Sequence, residues 1–284
     1  MVITPEYRLS WQAPYPAALL DCYEALKYLK DHARELGVDS RRIMVGGESA
    51  GGGLTAALCM YARDKGEVDI AFQMPLYPMI DDRDTPSSRD NHAPVWNTRL
   101  NHAAWNLYLR PFRDHSRNDS VPAYAAPARQ EDYRGLPPAY TFVGDIEPFY
   151  CETLTYIENL RKAGVPAKVD VYPGCFHAFD MLLPFLPVSR RAIAKFEKIY
   201  RYAAKHSHRT PRRITFQEAF LRRLVISPDP ASFSRKHPPG ILSPQPGCLP
   251  PLSPHVPEQC APAGGSPQNC ADPLSAPHLP PDSG

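Results

Sequence analysis

The segment Gly46-Gly-Glu-Ser-Ala-Gly-Gly-Gly53 lies between the apolar run Arg42-Ile-Met-Val45 and a helix-forming stretch that opens at Ala50. A chain that passes from a buried strand into a helix through one serine must turn sharply, which strains that residue and lifts its hydroxyl above the sheet. Small neighbours are therefore required. Gly47 and Gly51 are expected to remove side chains where strand and helix crowd together. The first amides of the following helix point at the same spot, so the Ala50 N–H is placed to stabilise a developing oxyanion. A random Gly-x-Ser-x-Gly is expected roughly 0.1 times in a chain of this size at average composition, so the pattern matters because of its strand-to-helix setting. A phosphate-binding turn is the bland alternative. Against it, no Lys follows the glycines and the spacing does not match G-x-G-x-x-G.

A serine hydroxyl is a poor nucleophile at neutral pH, so Ser49 needs a base within hydrogen-bond reach and a carboxylate to hold that base in one tautomer. His177 stands in Tyr172-Pro-Gly-Cys-Phe-His-Ala-Phe, just after an alternating strand pattern, where Pro173 and Gly174 interrupt regular pairing. Two acids compete for the third position, because Val143-Gly-Asp-Ile-Glu-Pro-Phe offers Asp145 and Glu147 after another strand. Glu147 is preferred: Pro148 holds it extended and its side chain reaches further, leaving Asp145 as the alternative acid or a support for the loop. The order serine, acid, histidine has gaps of 98 and 30 residues. No histidine or cysteine spacing suggests a metal site, and no cofactor is expected.

Short apolar runs alternate with helical patterns along residues 1–205, which predicts an α/β fold with a mainly parallel sheet covered by helices. Helices are expected over Ala17–Leu36, Ala50–Ala62, His102–Leu109, Glu152–Ala163 and about Val188–Ala204. Strands are expected at Arg42–Val45, Ile70–Tyr77, Ala139–Val143 and Ala167–Tyr172. Residues 206–284 differ in kind: they hold half of the 34 prolines and no Tyr or Trp. They are expected to form a largely disordered tail without a core of its own. Within its first part, Ile214, Phe216, Phe220, Leu221 and Leu224 fall at the spacing of one short amphipathic helix. The tail's Pro246–Pro250 and Pro251–Pro254 elements also suit docking to proline-reading domains.

The tail carries seven basic and five acidic residues, and the rest of the chain balances at 25 of each. No basic field for nucleic acid results. The seven cysteines lack paired spacing and read as thiols of a reducing compartment. No run of about 18 apolar residues and no secretory leader pattern occurs, so no membrane span and a cytoplasmic location are expected.

With these residues in place, the stretch from Val2 to Lys205 resembles the hormone-sensitive-lipase-like carboxylesterase branch of the α/β-hydrolases. Tyr7-Arg-Leu9, Pro16-Ala-Ala-Leu-Leu-Asp21, Gly47-Glu-Ser-Ala-Gly-Gly52, Tyr77-Pro-Met-Ile-Asp81, Gly144-Asp-Ile-Glu-Pro-Phe149 and Gly174-Cys-Phe-His-Ala-Phe179 carry the resemblance. Three departures stand out. Glu48 and Glu147 occupy positions where the family usually has Asp. Cys151 replaces a common acid. The family's His-Gly-Gly-Gly loop, a source of further oxyanion donors, belongs before Tyr7 and is missing. The resemblance thus implies an α/β-hydrolase fold incomplete at the N-terminus, in which a strand ending near Glu6 and the strand ending near Val45 both lack their shared neighbour.

The resulting expectation is a serine hydrolase that cleaves carboxylic esters of short acyl chains, a small-molecule substrate, through an acyl-enzyme on Ser49. His177 would transfer protons, Glu147 would orient it, and Ala50 would serve the oxyanion. A cap from Asp81–Arg134, with Trp96, Trp105 and Tyr108 as apolar walls, would shape the pocket. The rival expectation is a catalytically impaired, hydrolase-derived binding module.

Overall fold

The computed structural model describes residues 1–112 and 120–208. The Pro-rich tail and the helix expected near Ile214 lie outside the described residues. At the centre is a sheet of β1 (Met44–Glu48), β2 (Phe72–Leu76), β3 (Ala139–Gly144) and β4 (Ala167–Tyr172). The strands lie side by side in chain order, and every pairing is parallel. Parallel neighbours cannot be joined by a tight turn and require long crossovers. Six helices accompany them among the described residues: α1 (Ala17–Asp31), α2 (Ala50–Lys65), α3 (Thr98–Tyr108), α4 (Tyr150–Lys162), α5 (Phe179–Leu182) and α6 (Pro187–His206).

Right-handed crossovers that step always in one direction put the connecting helices α2 and α4 on the same face. That face packs Leu19 and Leu26 of α1, Ala56 and Met60 of α2, and Ile157 and Leu160 of α4 into one core. The other face packs Phe72, Met74 and Leu76 of β2 and Tyr140 and Phe142 of β3 against Ala192, Ile199 and Ala203 of α6. The period-two alternation of a strand explains β2, which is buried on both faces. Its intervening residue Gln73 points the other way, is fully buried, and needs partners there. It has them: its amide donates to the Pro137 carbonyl at 2.8 Å and accepts the Tyr156 hydroxyl at 2.8 Å.

Several expectations change in detail. β1 extends through Gly46 and Gly47 to Glu48, because these residues pair in register with Met74, Pro75 and Leu76. α3 starts earlier than His102, since Asn97 caps it by accepting the Leu100 N–H at 3.2 Å. α1 stops at Asp31 rather than Leu36. Residues 1–9 form no strand, so the one implied near Glu6 is not present. β1 is accordingly an outer strand of the sheet. Cys22 and Cys175 are buried thiols, whereas Cys151 is disulfide-bonded, contrary to the reading of all seven as thiols. Among the described residues no helix is long and apolar enough to cross a membrane.

Tyr156→Phe removes the donor to Gln73 while keeping the ring. A buried amide oxygen left without its partner costs about 1–3 kcal/mol, so urea unfolding should show a loss of that size. An unchanged midpoint would mean that the Gln73 carbonyl oxygen does not depend on this hydroxyl.

Candidate active site

All strands of a parallel sheet point the same way, so the loops that leave their carboxyl ends share one edge of the sheet. Ser49 follows β1, Glu147 lies shortly after β3, and His177 lies shortly after β4. Three residues distant in sequence are thereby brought together.

Ser49 has φ 55° and ψ −117°, a conformation that ordinary residues avoid. Three backbone hydrogen bonds hold it. Its N–H donates to the Leu76 carbonyl at 3.0 Å, and its own carbonyl accepts the N–H groups of Gly53 at 3.0 Å and Met79 at 3.1 Å. Close backbone approaches surround the turn. A Cβ on Gly47 would lie 2.5 Å from the Gly51 carbonyl oxygen, and one on Gly52 would lie 2.8 Å from that of Leu76. A Cβ on Gly53 would strike the Met79 carbonyl oxygen. Gly51 corrects the expectation: a Cβ there would meet open space, and it is the Gly51 backbone that forbids a side chain at Gly47. Ala50 opens α2, so its N–H has no acceptor within the helix.

His177 is buried and sits between the other two residues. Its Nε2 is 2.9 Å from Ser49 Oγ and its Nδ1 is 2.5 Å from Glu147 Oε2. The other Glu147 oxygen accepts the Gly144 N–H at 3.1 Å. Glu147 is wholly buried. Burial pushes its carboxyl above the usual range, while the hydrogen bond and charge of His177 and the Gly144 amide pull it back. Asp145 does not reach the histidine and instead accepts the Gly174 N–H at 2.7 Å, bracing the turn before His177. Such an array can take a proton from the Ser49 hydroxyl onto Nε2 while the carboxylate faces the Nδ1 side.

Aromatic rings enclose the imidazole: Tyr77 and Phe149 stand edge-on to it, each 5.0 Å away between centroids, and Trp96 lies at 6.2 Å. Of the three residues expected to wall a pocket, only Trp96 is at the site. Trp105 and Tyr108 pack with Tyr15 in the core on the α1 and α2 side. Glu48, in place of the usual Asp, keeps an exposed side chain; partial desolvation and the nearby Asp180 raise its carboxyl, opposed by His177. Sequence reasoning did not single out Gly52, Gly53 or Gly144. The glycine run after Ser49 was a visible signal for the first two. For Gly144 the reason is tertiary: a Cβ there would strike the Cys175 carbonyl oxygen in the loop that carries His177.

A family model described as the alpha/beta hydrolase fold matches residues 1–181. The chain belongs to this α/β-hydrolase family. It is 34% identical over 194 residues to Esterase LipI of Mycobacterium tuberculosis, a match covering 68% of this chain and 59% of the relative. Carboxylesterase NlhH of the same species is 32% identical over 197 residues, covering 69% and 61%. Among solved structures, Bacterial Heroin Esterase superimposes with a TM-score of 0.67 at 38% identity, covering 70% of this chain and 63% of that one. The chain thus spans about six-tenths of the length of these relatives.

The glycine geometry of this chain separates positions that look alike in sequence. Gly53→Ala and Gly144→Ala should each destabilise by about 1–3 kcal/mol, the usual cost of overpacking. Gly51→Ala, in open space on a helix, should be neutral or slightly stabilising. Thermal unfolding of the three variants checks this, and a Gly51→Ala loss equal to the other two would refute it.

Proposed function

We propose that the chain is a serine carboxylesterase acting on esters of short acyl chains. The observation that carries this reading is the position of His177, within hydrogen-bond distance of Ser49 Oγ on one side and Glu147 on the other. In the proposed reaction Ser49 Oγ bonds to the ester carbonyl carbon as His177 Nε2 takes its proton. The tetrahedral intermediate then breaks its bond to the alcohol oxygen, which leaves with that proton, and water repeats the sequence to release the acid. Glu147 keeps Nδ1–H directed at itself and stabilises the imidazolium. The Ala50 N–H donates to the oxyanion. The crowding of Tyr77, Phe149 and Trp96 around His177 supports a compact apolar site and hence short acyl groups. The names of LipI and NlhH, an esterase and a carboxylesterase, support the reaction class.

Two measurements test these roles. A fluorophosphonate, which reacts only with an activated serine, should label the parent chain and not Ser49→Ala, with circular dichroism unchanged; labelling that survives the substitution refutes the assignment. Glu147→Gln should depress hydrolysis of a p-nitrophenyl acyl ester by about 10²- to 10⁴-fold, and Asp145→Asn only mildly. The reverse order of severity would transfer the orienting role to Asp145. A parent chain that takes no label would leave the binding-module reading.

A further inference from the structure

Ser49 and Glu147 follow different strands, β1 and β3, and their loops must be held in mutual register. Ser49 is fixed from one side by the segment after β2, through the Met79 N–H to its carbonyl. The next two amides of that segment, Ile80 and Asp81, donate at 2.7 and 3.1 Å to a single oxygen of Glu152. Glu152 lies in the first turn of α4, the helix that begins directly after Glu147-Pro-Phe149. A second side chain makes a parallel connection. Ser87 Oγ donates to the Pro148 carbonyl at 2.7 Å and accepts the Cys151 N–H at 3.0 Å, fastening the stretch just after Glu147. Asn91 adds a third link, donating to the Ile146 carbonyl at 3.0 Å.

We propose that Glu152 and Ser87 are positioning residues that clamp the loop carrying Glu147 to the segment that supports the Ser49 turn. This rests on the function proposed above. Glu152 is an expensive way to fill space: it is 2% exposed, and its Oε2 has no hydrogen-bond partner among the described residues. Without Oε1, however, two buried amides next to the elbow would lose their acceptor. Burial raises the Glu152 carboxyl well above its ordinary range, and what the two amides use is the acceptor oxygen Oε1. Glutamine can replace such a group, because its carbonyl oxygen supplies the same acceptor; leucine cannot.

The test compares Glu152→Gln, Glu152→Leu and Ser87→Ala in the full chain. Three quantities are followed: kcat and KM for p-nitrophenyl acetate, the rate of fluorophosphonate labelling, and the low-field proton resonance of His177 Nδ1–H. Glu152→Gln should match the parent in all three. Glu152→Leu and Ser87→Ala should lower kcat and labelling about tenfold or more with KM little changed, since small misplacements of reacting groups are costly. Their low-field resonance should broaden or vanish. The proposal is overturned if Glu152→Leu and Ser87→Ala lose only melting temperature while kcat and the resonance persist, or if Glu152→Gln is as damaged as Glu152→Leu. Should Glu152→Leu fail to fold, Ser87→Ala decides alone. A parent that takes no label would sink the hydrolase reading, whereas the resonance would still report on the clamp.

Discussion

The carbonyl oxygen of Ser49 receives two amides, from Gly53 within its own helix and from Met79 beyond the neighbouring strand. That shared oxygen is where the elbow, the helix α2 and the segment after β2 meet. A residue in this backbone conformation costs of order 1–3 kcal/mol and persists only where its surroundings over-determine it. The register of β1 on β2, which pairs Glu48 with Leu76, places the Leu76 carbonyl under the Ser49 N–H. A slip of one residue would send every β1 side chain to the wrong face and withdraw that acceptor. Sheet register and site geometry are thus one constraint. The glycines at 47, 52 and 53 are its steric expression, since each meets backbone that a methyl group would displace.

Electrostatics add a second condition at the far side of the imidazole. A carboxylate sealed from water is unfavourable unless it is bonded. Glu147 answers this with His177 on one oxygen and the Gly144 amide on the other. Asp145, two residues earlier, meets its own need at the Gly174 amide. The division of labour follows from direction: one carboxyl, wholly buried, faces His177 and the end of β3, the other faces the turn that presents His177.

Much of this was legible in the linear chain. Ser49 and His177 stand at the ends of strand-like runs with turn residues beside them, and a parallel sheet collects such ends on one edge. Glu147 was distinguishable from Asp145 because Pro148 restricts its backbone and its side chain is longer. What sequence could not show were contacts between backbones far apart in the chain. Gly51 looked like the second indispensable glycine by pattern, yet Gly52 and Gly53 face the Leu76 and Met79 carbonyls while Gly51 faces outward. Trp105 and Tyr108 looked like pocket walls because they are aromatic and lie within the Asp81–Arg134 segment expected to form a cap. Helical phase turns them to the core instead, and only Trp96 reaches His177. The clamp by Glu152 was equally hidden, since nothing local indicates that a carboxyl on α4 will receive two amides from the segment after β2.

The Ser49–His177 hydrogen bond spans 128 positions of chain, and the His177–Glu147 bond spans 30. Contacts of such separation require that large loops be closed before they return any free energy, and they form late for that reason. A partly folded chain with α1, β1, α2, β2 and the segment after it in place would hold the serine turn without its histidine, because that residue arrives only when β3 and β4 have been laid down beside β2. In an incompletely folded molecule the Ser49 hydroxyl therefore stands without the imidazole, which joins it only once the strands after β2 are in place.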